Sequence, residues 1–207
     1  MNRINEERLV IDGPSGNLEL ALNEPNSVSK GCALIAHPHP LYGGTMDNKV
    51  VQTLAKAFNA LGLTSVRFNF RGVGNSDGVY DEGVGELEDF KSVRSFAFQR
   101  IQPEHMIYGG FSFGTYIVSR AAQLDAPNQL VLIAPAVGKF EVEGVTEDTL
   151  VIHGEKDDVV LLSDVMDWAR PQHSPVTVFP GAGHFFHGDL VRLKNAVINH
   201  CRHKLSS

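Results

Sequence analysis

Short apolar runs alternate with helix-like segments along most of the chain. From residue 31 onward these runs have no polar face, as expected for strands covered on both sides of a sheet. The runs are Cys32–Ala36, Val66–Phe70, Met106–Tyr108, Leu130–Ala134, Leu150–Ile152 and Val176–Phe179. The segments with apolar residues at helical spacing are 48–61, 84–101, 113–124 and 189–204. This alternation predicts an α/β fold built on a mostly parallel sheet.

The first part of the chain has a different pattern. Residues 7–12 and 18–23 alternate between apolar and polar positions on either side of a glycine- and proline-containing turn at 13–16, which predicts an antiparallel hairpin. No internal repeat or linker interrupts the 207 residues, so we expect one domain spanning 1–207. The connection at about 137–147 is short and leaves no room for a covering subdomain. An open site without a lid domain is therefore expected.

Composition and charge narrow the possible partners. The formal net charge is -6, and no cluster of basic residues suggests a nucleic-acid surface. The charged N-terminus lacks the apolar segment of a secretory signal, and no stretch reaches membrane-spanning length. We therefore expect a cytoplasmic protein with neither a nucleic-acid nor a membrane partner. The two cysteines are far apart and do not suggest a metal or redox site.

One motif predicts a nucleophile. Residues 110–114 read Gly-Phe-Ser-Phe-Gly and lie between an apolar run and a helix-like stretch. This is the arrangement of a nucleophile elbow, in which a tight strand-to-helix turn exposes the serine hydroxyl, here that of Ser112. Because Phe113 begins the following helix, its backbone N–H has no partner within the helix and is available to a developing oxyanion.

A second stretch, residues 74–78, also matches the G-x-S-x-G spacing, with Ser76 at its centre. It lies in a loop-forming cluster rich in glycine, asparagine and aspartate, and no helix begins after it. The strand-turn-helix context therefore favours Ser112 over Ser76 as the nucleophile.

A serine hydroxyl needs a base to accept its proton and an acid to orient that base. His184 lies in a glycine-punctuated loop after the apolar run 176–179, while His187 follows it nearer the last helix. The acid is expected after the run 150–152, where the chain turns at Gly154 and offers Asp157, with Asp158 as the alternative. The order serine, aspartate, histidine is the one used on sheets of this type.

A second oxyanion donor is expected after the first apolar run, in residues 37–44. Pro38 and Pro40 have no backbone N–H. The remaining candidates are His39, Leu41 and Tyr42. Metal binding by His37 and His39 is a competing interpretation, but the segment supplies no nearby third ligand.

Five ordered segments together resemble the small α/β hydrolases, nearest to the dienelactone-hydrolase-like branch of bacterial serine hydrolases. The segments are 37–44, 68–76, 110–114, 153–157 and 181–186. The resemblance implies an α/β-hydrolase fold, with an eight-stranded, mostly parallel sheet, helices on both faces and the site at the carboxyl edge of the sheet.

By position, the resemblance assigns the nucleophile to Ser112, the base to His184 and the acid to Asp157, with Phe113 and Leu41 as oxyanion donors. Leu41 is preferred over His39 because it falls where that branch has its first donor. The chain departs from dienelactone hydrolases at one decisive place, since they have a cysteine where Ser112 stands.

These features predict a serine hydrolase that cleaves carboxylic esters with small or exposed acyl groups, without a cofactor or metal. The partner is then a small ester-like molecule, and the sequence does not predict the oligomeric state. An acyltransferase, thioesterase or peptidase with the same triad is the alternative among enzymes. A non-catalytic ligand-binding or scaffold protein on this fold is the alternative of another class.

Overall fold

The computed structural model describes residues 5–205, and within them eight strands form one sheet. An antiparallel hairpin comes first, made of β1 (Asn5–Gly13) and β2 (Gly16–Glu24). The six strands that follow are β3 (Cys32–Ala36), β4 (Thr64–Phe68), β5 (Met106–Phe111), β6 (Gln129–Ile133), β7 (Leu150–Gly154) and β8 (Val176–Phe179). The spatial order is β1-β2-β4-β3-β5-β6-β7-β8.

The pairing of these strands confirms the predicted sheet. The hairpin joins its edge antiparallel through β2 and β4, and the pairs from β4 through β3, β5, β6 and β7 to β8 are all parallel. Parallel strands end at the same edge, so the loops after β3, β5, β6, β7 and β8 meet there. The fold is the expected α/β-hydrolase architecture.

Five helices accompany the sheet within the described residues. They are α1 (Lys49–Ala60), α2 (Val84–Ile101), α3 (Phe113–Leu124), α4 (Leu162–Ala169) and α5 (Leu190–Lys204). The first and last pack against each other in one hydrophobic core, while α2 and α3 share a core on the other face of the sheet. No helix or strand lies within residues 134–149, so no lid covers this edge of the described chain.

The structure has one helix that was not predicted, and some strands end at other residues than predicted. Helix α4 was not predicted, although Leu162, Val165, Met166 and Ala169 have helical spacing; it is only eight residues long and buries only Val165 and Ala169. The fourth strand ends at Phe68 instead of residue 70. Residue 69 still bonds to the backbone of β2, but the N–H of Phe70 donates to the ring of His37, which turns the buried chain out of the sheet.

The turn from β5 into α3 depends on close backbone approach. Ser112 has φ 54° and ψ -120°, a strained conformation for a residue with a side chain. A Cβ on Gly110 would lie 2.6 Å from the carbonyl carbon and oxygen of Gly114. A Cβ on Gly114 would meet the carbonyl oxygen of Ala36 at the end of β3. Both positions therefore require glycine, which is why the elbow contains one on each side of the serine.

We expect Gly110→Ala to lower the free energy of unfolding by about 3 kcal/mol or more, because backbone atoms must move to admit the methyl group. Gly109→Ala is the matched control on the same strand. Its Cβ would meet the Phe58 ring at 3.4 Å, an ordinary contact, so a change below about 1 kcal/mol is expected. Urea unfolding of both variants measures the difference, and equal stabilities would contradict this account of the elbow.

Candidate active site

The structure brings Ser112, His184 and Asp157 together at the carboxyl edge of the sheet. The Ser112 Oγ lies 3.0 Å from His184 Nε2, and His184 Nδ1 lies 2.7 Å from Asp157 Oδ2. All three residues are buried. An ionised Asp157 accepts from Nδ1–H, which leaves Nε2 without a proton and able to accept from the serine hydroxyl. Three loops that are distant in sequence thus form one hydrogen-bonded chain.

The Asp157 carboxylate is held on both oxygens. Its Oδ1 accepts the backbone N–H groups of Val159 and Val160, both at 2.9 Å. Burial by itself would raise the pKa of Asp157, but hydrogen bonds from His184 and these N–H groups outweigh it and lower the pKa below its ordinary value. Asp158 is exposed, and its side chain bonds to no other described residue. Turn geometry therefore selects Asp157 over its neighbour.

A second histidine lies beneath the acid and was missed as a site residue by the sequence analysis. His153 is fully buried at the end of β7, with Nε2 3.0 Å from the carbonyl oxygen of Val160 and 3.5 Å from Asp157 Oδ2. Burial lowers the pKa of His153 more than the nearby Asp157 raises it. The neutral ring donates through Nε2 and fixes the loop that presents the acid. The sequence did contain a signal for this role, because His153 is a polar residue in an apolar strand, four positions before Asp157.

The two rival residues lie in other surroundings. The Ser76 hydroxyl donates to the carbonyl of Asn69 at 2.8 Å and accepts the N–H of Glu19 at 2.9 Å. It therefore joins a loop to the edge of β2 and has both of its bonding roles filled. His187 is exposed, and its ring faces Phe185 rather than the serine.

The backbone donors near Ser112 differ from the sequence prediction at one position. Phe113 begins α3, so its N–H has no acceptor within the helix. The N–H of Leu41 donates to Nδ1 of His39 at 3.2 Å, and the side chain of Leu41 points to solvent with 66% of its surface exposed. Leu41 also does not line the cleft beside Ser112. The geometry does not support Leu41 as a donor.

His39 fits the position of the second backbone donor better than Leu41 or Tyr42. The N–H of Tyr42 is also occupied, since it donates to the carbonyl of His39 at 3.1 Å. Within residues 5–205, no acceptor takes the backbone N–H of His39. His39 lines the cleft, and its ring lies 5.0 Å from that of Phe113. The prediction failed because the His39 side chain folds back onto the turn and occupies the neighbouring N–H.

The bonding of His37 argues against a metal site with His39. His37 is fully buried, with Nδ1 next to the carbonyl of Pro38 and Nε2 accepting the N–H of Phe70 at 3.1 Å. Burial lowers its pKa to about 4. Nδ1–H thus donates and Nε2 accepts in a neutral, structural ring, which leaves no free lone pair for a metal ion.

An open cleft of about 500 Å³ borders the serine. The loops after β3, β5, β6 and β7 all contribute to its walls, through residues such as Tyr42, Phe113, Phe140 and Val160.

Within the described chain, none of the helices combines the length and the apolar character needed to cross a membrane.

Comparison with known proteins gives consistent results at the levels of sequence and structure. No family model matches the chain. The uncharacterized protein RP471 of Rickettsia prowazekii is 33% identical over 198 residues, which covers 86% of this chain and 82% of the relative. An α/β serine hydrolase homologue from Coxiella burnetii is 41% identical, with a TM-score of 0.88 over 96% of this chain and 98% of that one.

A third similar protein is XC6422 from Xanthomonas campestris, described as an α/β serine hydrolase without a lid. It is 36% identical, with a TM-score of 0.93 over 100% of this chain and 98% of the other. The likeness to dienelactone hydrolases stays a prediction. The sequence identities, the superposed sheets and the shared lack of a lid agree: the chain belongs to the family of small α/β serine hydrolases without a lid.

Proposed function

We propose that the protein hydrolyses carboxylic esters through an acyl-enzyme, with Ser112 as nucleophile, His184 as base and Asp157 as the acid that orients the base. The observation that carries this proposal is the unbroken hydrogen-bonded chain from Ser112 Oγ through His184 to Asp157, with distances of 3.0 and 2.7 Å. The serine lies at the wall of an open cleft, where a substrate carbonyl can reach it.

In the first half of the reaction, Ser112 Oγ attacks the ester carbonyl while Nε2 of His184 takes its proton. The imidazolium that forms is stabilised by Asp157, and it then gives the proton to the departing alkoxide. The second half repeats these steps with water as the nucleophile. His184 activates the water, the acyl–oxygen bond to Ser112 breaks, and the carboxylic acid leaves.

The tetrahedral intermediates carry a negative oxygen that needs backbone donors. We assign these to the N–H groups of Phe113 and His39, because the first has no acceptor in its helix and the second has none among the described residues. Each such donor contributes about 3 kcal/mol to lowering the barrier. The turn that follows β3 therefore contributes to catalysis in addition to the triad.

The open cleft favours small or solvent-exposed acyl groups, since no lid is present to enclose a long chain. It also leaves water with ready access to the acyl-enzyme, which favours hydrolysis over transfer to another acceptor. Thioesters and peptides would use the same three residues, and the leaving group alone distinguishes these reactions.

Ser112→Ala is expected to abolish hydrolysis of p-nitrophenyl acetate and labelling by a fluorophosphonate probe, because the attacking oxygen is gone. The matched variant Ser76→Ala is expected to retain most of the activity and all of the labelling, since Ser76 only joins a loop to the edge of β2. Steady-state rates and mass mapping of the adduct provide the measurement. A well-folded wild type without any adduct would favour the scaffold alternative, and an adduct on Ser76 would reverse the assignment of the elbow.

Asp157→Asn is expected to lower kcat by about 10⁴-fold, because an amide can donate to Nδ1 of His184 and stabilise the wrong tautomer. Asp158→Asn changes the same charge one residue away, on an exposed side chain, and is expected to change kcat less than about 3-fold. Similar losses in both variants would show that the loop, and not one carboxylate, supports the reaction. Equal unfolding midpoints establish that the comparison concerns catalysis.

The His39 donor can be tested by removing its N–H. His39 has φ -52°, a value that proline accepts, so His39→Pro deletes the donor without forcing a new φ at this position. His39→Ala keeps the donor and removes the ring, and it is the control for lost side-chain contacts. We expect kcat of the proline variant to lie about 10²- to 10³-fold below that of the alanine variant. Equal kcat values would exclude this N–H as a donor.

A further inference from the structure

A cluster of aromatic rings surrounds the turn after β3 and extends into the cleft beside Ser112. The ring of His39 lies at its centre, with its centroid between 4.5 and 5.7 Å from those of four other rings. We call the five residues the aromatic wall: His39, Tyr42, Tyr80, Phe113 and Phe140. They come from the loops after β3, β4 and β6 and from the start of α3, so four parts of the chain supply rings to one place.

Burial differs strongly along this wall. Phe113 is fully buried, whereas Tyr42 exposes 86% of its surface. Within the described residues, the only ring that Tyr42 contacts is His39, at 4.5 Å. Tyr42 nevertheless lines the cleft. An aromatic side chain that forms the rim of a reactive cleft and is left uncovered by its own protein offers a surface for a flat partner.

The charges around the cleft cancel. Lys139 and Asp158 both line it and are exposed, and neither side chain has an ion pair or hydrogen bond with another described residue. Partial burial lowers the pKa of His39, so its ring adds no positive charge at neutral pH. One free cation and one free anion favour a neutral ligand, because a charged one would be attracted at one side and repelled at the other.

The rest of the lining is apolar and small. Ala136, Val159 and Val160 come from the loops after β6 and β7, which follow β5 in the order of the sheet. The cleft volume of about 500 Å³ is in the range that holds a compact organic molecule. His39, Tyr42 and Phe140 line the same cleft as Ser112, so a planar ring packed on this part of the aromatic wall would lie in the cleft that the serine borders.

We propose that the ester substrate carries a neutral, planar aromatic ring that packs against the aromatic wall. This inference rests on the proposed esterase function and adds the substrate class. The ring recognises the wall by offset or edge-to-face contact, which a saturated ring of the same carbon count cannot reproduce. The ring belongs to either the acyl part or the alcohol part of the ester, and the test distinguishes the two.

The test compares two matched pairs of esters on the purified full chain. In the first pair, methyl phenylpropanoate and methyl cyclohexylpropanoate, the ring is in the acyl part. In the second pair, phenylethyl acetate and cyclohexylethyl acetate, it is in the alcohol part. The ring is remote from the reacting bond in all four esters. Dividing each kcat/KM by the rate constant of alkaline hydrolysis of the same ester removes the remaining difference in intrinsic reactivity.

In the pair whose ring reaches the wall, kcat/KM is expected to be about 3- to 10-fold higher for the aromatic member. The cyclohexyl esters are the more hydrophobic members, so simple partition into an apolar cleft predicts the opposite order. Tyr42→Leu keeps an apolar side chain and removes the ring, and it is expected to bring the ratio close to one. Leu41→Ala removes an exposed side chain from the same turn, outside the cleft, and is expected to keep the wild-type ratio.

Ratios at or below one in both pairs, or a ratio unchanged in Tyr42→Leu, would overturn the inference while leaving an active esterase. Loss of the ratio in Leu41→Ala as well would assign the preference to the turn as a whole and also overturn it. If neither member of either pair is hydrolysed and Ser112 is not labelled by a fluorophosphonate, the proposed esterase function itself is wrong.

Discussion

The site depends on the close approach of three stretches of backbone around Ser112. The chain can leave β5 and enter α3 within one residue only because Gly110 and Gly114 lack side chains, which allows the helix to lie against the strand and against the end of β3. The serine is left with φ 54° at the apex. Its N–H donates to the carbonyl of Ile133 at 3.0 Å, and its carbonyl accepts a hydrogen bond from the hydroxyl of Thr115. These bonds to the surrounding fold stabilise the strained backbone conformation. The position of the Ser112 hydroxyl at the cleft and the free N–H of Phe113 are both consequences of this turn.

Three buried histidines near the carboxyl edge of the sheet have different roles. His37 and His153 are fully buried, and burial lowers the pKa of each, so they act as neutral hydrogen-bonding groups. His37 bonds to the N–H of Phe70 and fixes the turn after β3, while His153 bonds to the carbonyl of Val160 and fixes the loop of Asp157. Of the three, His184 alone has both a carboxylate and a hydroxyl as partners. Only this ring is placed to move a proton between an alcohol and a substrate.

The sequence predicted the features that follow from strand order and failed where side chains bond to the backbone. Ser112, Asp157 and His184 could be selected because each follows an apolar run, and parallel strands end at one edge. The choice of Leu41 could not succeed on the same grounds, because the ring of His39 accepts the N–H of Leu41 and no periodicity shows that bond. The end of β4 and the role of His153 were missed for a similar reason. The end of β4 depends on a hydrogen bond between Phe70 and His37, which are far apart in the chain, and the role of His153 depends on a bond to Val160 across a turn.

Because no lid in the described chain covers the cleft, only the walls of the cleft can exclude water from the reacting groups. A developing oxyanion is stabilised most by backbone donors when water cannot compete for the same oxygen. In the proposed reaction His39 and Phe113 supply the N–H groups to the oxyanion, and the rings of the same two residues pack 5.0 Å apart. A substrate group that covers the accessible rings of His39 and Tyr42 would complete the enclosure that the fold leaves open. Specificity and catalysis are then coupled, since the group that is recognised is also the one that desolvates the reacting carbonyl.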